Sequence, residues 1–399
     1  MRSKIAQDEM DGEDSPLSTT SLYCWWRSAS ESDDPPLSPP PSSTGPSPRL
    51  KVVRELERLS LIAHESLDDL RHKLLCYRPG EFYLPTGGIS RQDADVPPLL
   101  TILLVGFESS GKSSLINLMY SVLGRSGLIP FTQTKRNPSN RGTICLEEHN
   151  VLRSSRNGFC VFDSRGLDPH RTAEGLLEVE EWMEDGVRHR KPCWRREDGE
   201  EEGEPSIWFS SSRFATRRVN SVMVVADAAE IYRSWKAGDC GPLDSVGELF
   251  HAHSVKKCSE SLSLSLSLSL RIFVCIVSYE TPILILTHGD ELTPDERIEG
   301  RIKICNHLGV SELMGCYDIP CLNEHGLLVE EVDPVTAYSI AEAVYRALLF
   351  GDRTHPPKRR PSDWVLYGLS VILCCFALVF EFLACVLGML GNRKRKIKM

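Results

Sequence analysis

The stretch "VGFESSGKSS", Val105 to Ser114, constrains this 399-residue chain more than any other. Gly106-Phe107-Glu108-Ser109-Ser110-Gly111-Lys112-Ser113 fits the pattern G-x-x-x-x-G-K-[ST]. Before it runs "LLTILLVG" (99–106), continuously apolar, as a strand covered on both faces must be. After it, "SSLINLMYSVLG" (113–124) reads as a helix. A glycine-rich turn between a buried strand and a helix start curls its backbone N–H groups toward one point, which suits a chain of phosphates. The candidate phosphate-binding set is therefore Gly106, Ser109, Ser110, Gly111, Lys112, Ser113 and Ser114. Lys112 would reach the β- and γ-phosphates, and Ser113 would hold Mg²⁺.

Strand and helix patterns alternate beyond the loop. "TICLEEHNV" (143–151) and "GFCVFD" (158–163) read as strands, and "EGLLEVEEWMEDGV" (174–187) as a helix. "VNSVMVVAD" (219–227) is a strand, "PLDSVGELFHAH" (242–253) a helix and "PILILTH" (282–288) another buried strand. "TPDERIEGRIKICNHLG" (293–309) carries a capping box, with Thr293 as N-cap, Pro294 at N1 and Glu296 at N3. "GCYDIPC" (315–321) gives a sixth strand and "VTAYSIAEAVYRALLF" (335–350) a last helix. This order predicts a doubly wound α/β domain over 95–352.

Two strand ends carry further candidate residues. In "FDSRG" (162–166), Asp163 is positioned as a second Mg²⁺ carboxylate, acting through water, and the Gly166 N–H faces a γ-phosphate. A hydroxyl that senses Mg²⁺ and the γ-phosphate should lie between the first helix and "TICLEEH". Thr132, Thr134 and Thr143 are candidates, and Thr143, directly before the strand, is preferred.

"ILTHGD" (285–290) resembles the guanine-specificity motif of the TRAFAC class of GTPases, usually Asn-Lys-x-Asp and in some membrane-associated branches Thr-Lys-x-Asp. The resemblance implies that Asp290 accepts from the guanine N1–H and 2-amino group. Adenine lacks that pair of donors and would leave the carboxylate unpaired. Thr287 stands where Asn is usual, and His288 stands where Lys usually covers the base. Cys321-Leu322-Asn323 matches the position of the loop that closes over the base, without its usual residues.

Together the motifs span 99–350. The chain resembles a TRAFAC-class P-loop GTPase with the Ras-like core order. It resembles more closely a group of plant P-loop NTPase-like proteins, through "FDSRGLDP", "MVVAD", "ILTHGDEL" and "DPVTAY". The resemblance implies Mg²⁺ as cofactor and GTP as ligand or substrate. Ras-like GTPases commonly place a water-orienting Gln after D-x-x-G. Leu167 occupies that place here, with Arg165 and His170 nearby. The expectation is a GTP-binding switch with slow or partner-assisted hydrolysis, through self-association or a protein partner. The alternatives are a non-hydrolysing nucleotide-binding scaffold and an ATP-binding P-loop protein.

The flanks differ in composition. Residues 1–49 contain "DDPPLSPPPSSTGPSP" and are expected to be disordered. Leu56, Leu59, Ala63, Leu67, Leu70 and Leu74 recur at steps of three and four, an amphipathic helix within 50–80 that "RPG" stops. "RREDGEEEGEP" (195–205) reads as a charged loop. Within 258–280, "SESLSLSLSLSL" reads as a half-buried strand or as a translated dinucleotide repeat that the fold does not need. The run 364–390 has 27 residues and one charge, Glu381. As a helix it reaches ~40 Å, enough for a ~30 Å hydrocarbon core. It is expected to be a single-pass transmembrane helix and tail anchor, followed by a basic tail (391–399), with the nucleotide domain facing the cytosol. A net charge of −9 argues against nucleic acid as a partner. The 14 Cys form no C-x-x-C pair, which favours reduced thiols over zinc or disulfides.

Overall fold

In the computed structural model, described residues are 24–30, 47–85, 89–124, 131–132, 143–152, 154, 157–193, 213–256, 282–320, 333–353, 355–358, 373 and 376. Six strands form one sheet: β1 (Leu100–Val105), β2 (Glu147–His149), β3 (Phe159–Asp163), β4 (Ser221–Asp227), β5 (Ile283–Thr287) and β6 (Cys316–Asp318). The order across the sheet is β2-β3-β1-β4-β5-β6. All neighbours are parallel except β2, which runs antiparallel to β3 with Glu147 opposite Asp163.

Nine helices are seen among the described residues: α1 (Trp26–Ser30), α2 (Pro48–Cys76), α3 (Lys112–Gly124), α4 (Thr172–Asp185), α5 (Ala228–Lys236), α6 (Gly241–His251), α7 (His253–Lys256), α8 (Pro294–Leu308) and α9 (Pro334–Gly351). They cover both sheet faces, which is why β1, β4 and β5 are mostly apolar and buried along almost their whole length. The period-two alternation splits each strand between two cores. Ile102, Leu104, Met223, Val225, Ile283 and Ile285 pack with α3, α9 and the C-terminal half of α2. Leu103, Val105, Val222, Val224, Leu284 and Leu286 pack with α4, α5, α6 and the end of α8.

Helix starts follow local chemistry. Ser47 caps α2, Asp227 caps α5 and Asp333 caps α9, each side chain accepting a backbone N–H of the first turn. The capping box of Thr293 and Glu296 is formed at α8, and Gly309 ends that helix in the left-handed conformation.

Several expectations need correction. Disorder throughout 1–49 does not hold. Cys24–Ser30 includes α1, whose Trp26 and Ala29 are fully buried against Val52, Leu56 and Leu59 of α2, Ile298 of α8 and Val335 of α9. The tail buries apolar area through its tryptophans, the residues that a Pro/Ser-weighted reading overlooks. Residues 1–23 and 31–46 lie outside the described residues. The expected strand over 143–151 is ladder-paired only at Glu147–His149, with Cys145 bridging Pro192 beyond it.

The membrane-spanning helix and the single-pass membrane placement are likewise not upheld. Among the described residues, no helix is long and apolar enough to cross a membrane. The run 364–390 lies outside the described residues except Leu373 and Phe376, as do the basic tail, the loop 195–205, the insertion 258–280 and Cys321-Leu322-Asn323. The sequence argument rested on the length and apolarity of the run and on Trp364 and Tyr367 at its entry, and no described helix is both long and apolar enough.

Two compact units divide the chain, one within 1–84 and 97–354, the other within 85–96 and 355–399. In the second, Ala94 bridges Pro357, and the Asp95 N–H donates to the Pro356 carbonyl at 2.7 Å.

Candidate functional site

The carboxyl ends of β1, β3, β4 and β5 present Gly106, Asp163, Asp227 and Thr287 at one edge of the sheet, and the order reverses between β1 and β4. Doubly wound folds bind ligands in the crevice at such a switch point. The loop from Gly106 to Gly111 lies there and feeds directly into α3.

Gly106 has no room for a side chain, because a Cβ would lie 2.2 Å from the Val225 carbonyl oxygen. Gly111 takes φ +85° and Ser109 φ 62°, two left-handed residues that curl the loop. Lys112 is only 6% exposed. Its ammonium spans the loop, donating to the carbonyls of Phe107 (2.7 Å) and Gly106 (3.0 Å), with Ser110 Oγ at 3.4 Å. Ser110 and Ser114 are buried within the same turn.

Three side chains far apart in sequence meet beside Lys112. Ser113 Oγ donates to Asp163 Oδ2 at 2.6 Å. Thr143 Oγ1 lies 3.2 Å from Ser113 Oγ and 3.5 Å from the same carboxylate oxygen. Asp163 is fully buried, and its Oδ1 has no hydrogen-bond partner. Burial raises the Asp163 pKa, against the Ser113 hydrogen bond and the Lys112 charge, which lower it. An unpaired carboxylate oxygen in a buried site is costly, and a divalent cation is the kind of group that relieves it. Two hydroxyls and a carboxylate are hard oxygen donors, suited to Mg²⁺. Among the described residues no cluster of three or more His, Cys, Asp or Glu offers another metal site.

The structure separates the threonine candidates. Thr132 turns its hydroxyl onto the Ser113 carbonyl at 2.8 Å, and Asn117 holds its backbone in place. It braces α3 and does not join the trio. Thr134 lies outside the described residues.

The "FDSRG" turn is pinned to the phosphate loop. Leu167 N–H donates to the Gly106 carbonyl at 3.0 Å, and Glu108 N–H donates to the Leu167 carbonyl at 2.8 Å. Gly166 must be glycine here, since a Cβ would lie 2.6 Å from Glu108 Cα. The Leu167 side chain is fully buried and packs with Gly175, Val179 and Trp182 on α4. Arg165 donates to the Cys193 carbonyl at 2.6 Å. His170 is exposed on a 3₁₀ turn capped by Asp168.

At the other end of the site, Thr287 is fully buried, with its hydroxyl 2.8 Å from the Ser110 carbonyl and 3.1 Å from the Ala226 carbonyl. His288 is left-handed, at φ 54°. Its Nδ1 lies 3.0 Å from Asp227 Oδ2, yet the atom makes no hydrogen bond, so the contact is an electrostatic one out of line for donation. Burial alone would lower the His288 pKa. Asp227, with Glu291 and Asp290, outweighs it and leaves the pKa raised. Asp290 is exposed on the 3₁₀ turn Gly289–Glu291 that follows β5.

Sequence reasoning missed the support under this loop. Arg297 of α8 grips Asp318 of β6 with both arms, Nε to Oδ2 at 2.7 Å and Nη2 to Oδ1 at 2.9 Å, and both side chains are buried. Gly289 rests on the pair: a Cβ there would lie 2.7 Å from Arg297 Nε. A carboxylate ending the apolar strand "CYD" was the available signal. Asp227, which both caps α5 and faces His288, was passed over as an ordinary strand end.

No family model matches the chain, and no curated protein matches it. Among solved structures, the chain is similar to the signal recognition particle receptor SRb-GTP/SRX complex from Chaetomium thermophilum, at 15% identity and a TM-score of 0.27. The match covers 57% of this chain and 93% of that one. The P-loop fold rests on the strand order and the loop geometry, not on this likeness. This likeness gives no support to the closer resemblance to plant proteins.

Proposed function

We propose that this protein binds guanine nucleoside triphosphate with Mg²⁺ and acts as a nucleotide-dependent switch whose unassisted hydrolysis is slow. The observation that carries the proposal is the buried Asp163 carboxylate, with one oxygen unpartnered, set beside Ser113, Thr143 and the lysine of the phosphate loop. When bound, Mg²⁺ would supply positive charge that offsets the charge developing on the phosphates. Ser113, Thr143 and Asp163 would hold it, the last through water.

The chain's own groups divide the remaining work. Loop N–H groups and Lys112 bind the phosphates, Lys112 exchanging two loop carbonyls for phosphate oxygens. The Gly166 N–H meets the γ-phosphate from the turn pinned against Glu108. Thr287 locks the loop to β5, His288 covers the base and Asp290 reads the guanine edge.

Slow hydrolysis is supported by three side chains. Leu167 is in the core, Arg165 is committed to the Cys193 carbonyl, and His170 is exposed on a separate turn. None is arranged to orient a water, so rapid turnover would need a group supplied in trans, from a second copy or a protein partner. The same three placements favour a second reading, a nucleotide-binding scaffold that never turns over.

Single-turnover hydrolysis of bound GTP by the full chain, across a concentration series, tests the choice. The switch reading expects a slow rate that rises with self-association or an added partner. Bound GTP that stays intact under every condition would leave the scaffold reading.

A further inference from the structure

Trp25, in the turn just before α1, and Trp26, its first residue, enter the domain in different ways. Trp26 and Ala29 are fully buried and anchor α1 on α2 and α8. Arg49 ties the same helix down, donating to the Ala29 carbonyl at 2.6 Å and pairing with Asp295 in the first turn of α8. Trp25 is left half-buried, with its ring over the Arg297 guanidinium at 3.9 Å. Arg297 thus has one face on an indole and its fork on Asp318, while Gly289 packs directly on the ion pair. Gly289 is the residue between His288 and Asp290.

We propose that Trp25 is a positioning residue for the base-reading end of the nucleotide site, acting through the Arg297–Asp318 pair on Gly289. The inference deepens the guanine reading above and rests on it. A buried ion pair holds one geometry only while water is kept from it. The indole covers the open face of the guanidinium and adds cation–π attraction. With that cover removed, the fork is free to rotate toward solvent, and the backbone of Gly289 loses the surface that fixes the spacing of His288 and Asp290. The phosphate end has its own supports, because Lys112 is held by loop carbonyls and Ser113 and Thr143 by Asp163, and it joins β5 through Thr287 rather than through Gly289. The N-terminal segment is therefore part of the base site, although it lies more than 250 residues from it in sequence.

The test measures affinity for GTP, ATP and inorganic triphosphate, all with Mg²⁺, on the full chain and three variants. Trp25→Leu should weaken GTP binding roughly 3- to 30-fold, the span of a desolvated cation–π contact, while triphosphate affinity stays within about twofold and the GTP-to-ATP ratio falls. Trp25→Phe, which keeps an aromatic face, should restore most of the ratio. Arg297→Lys keeps the charge but loses the fork, and should lower the ratio with Trp25 itself in place. An unchanged ratio in Trp25→Leu and Arg297→Lys would overturn the proposal and leave the guanine reading standing. Equal losses for GTP and triphosphate, with a lower melting temperature, would show a merely structural role and overturn it too. A wild-type chain that binds triphosphate but does not prefer GTP would overturn the guanine reading and this inference together.

Discussion

The Thr287 hydroxyl lies 2.8 Å from the Ser110 carbonyl, so the end of β5 is tied directly to the phosphate loop at the end of β1. The two ends of the proposed nucleotide site thereby share one buried contact. A residue chosen in sequence for base recognition is fully buried and serves the loop instead. Thr287→Val keeps the shape and removes the hydroxyl. It should destabilise the fold by about 1–2 kcal/mol, the cost of leaving a buried carbonyl without its donor. Urea denaturation followed by tryptophan fluorescence would read this as a lower midpoint at unchanged slope.

Lys112→Ala should leave the fold cooperative and lower GTP affinity at least ~10- to 100-fold, since charge-assisted contacts to the phosphates are lost. Displacement of a fluorescent GTP analogue measures the loss, and circular dichroism checks the fold. Asp290→Asn should behave differently. It should reduce the preference for GTP over ATP while phosphate contacts, and triphosphate affinity, persist.

Leu167→Gln separates what the sequence suggests from what the structure allows. The sequence places residue 167 where a water-orienting amide would be useful. The side chain instead fills the space against Gly175, Val179 and Trp182. The substitution should therefore bury an amide in an apolar site, cost about 1–3 kcal/mol and leave hydrolysis slow. Chemical denaturation and single-turnover assays on the same sample check both halves.

How much was legible follows from which forces were local. The strands β1, β4 and β5 were readable because strands covered on both faces must be apolar, and Thr293 with Glu296 announced α8 through a local hydrogen-bond exchange. Asp163 and Ser113 were legible because motif spacing and topology place them together. Short β2 was overcalled because only Glu147–His149 pair in the ladder. Helix α5 went unseen although Asp227 caps it, since the strand and its cap share a residue. The Trp25–Arg297–Asp318 stack was out of reach, because its members are joined only by tertiary packing. The burial of Leu167 and the tie of Arg165 to Cys193 are likewise tertiary facts, invisible to a motif.

The His288–Asp227 contact has a pH signature. The folded pKa of His288 is raised above its ordinary 6.5, with burial opposing and Asp227 the main cause of the rise. Its stabilising contribution is thus fully present below pH about 6.5 and is lost as pH rises through the raised value. Asp227→Asn keeps a capping oxygen for α5 and removes the charge. The stability difference between wild type and this variant should be largest below that pH and shrink above it, as read by melting temperature across pH. A difference that grows with pH would contradict the assignment.

The most direct test of the central claim is calorimetric titration of GTP into the full chain, once with Mg²⁺ and once after chelation. The account predicts one site per chain, binding GTP tighter than ATP, weakened at least ~10-fold without Mg²⁺ and by Asp163→Ala, in line with the loss of a charged ligand contact. No binding of GTP, or binding indifferent to both Mg²⁺ and Asp163, would contradict it.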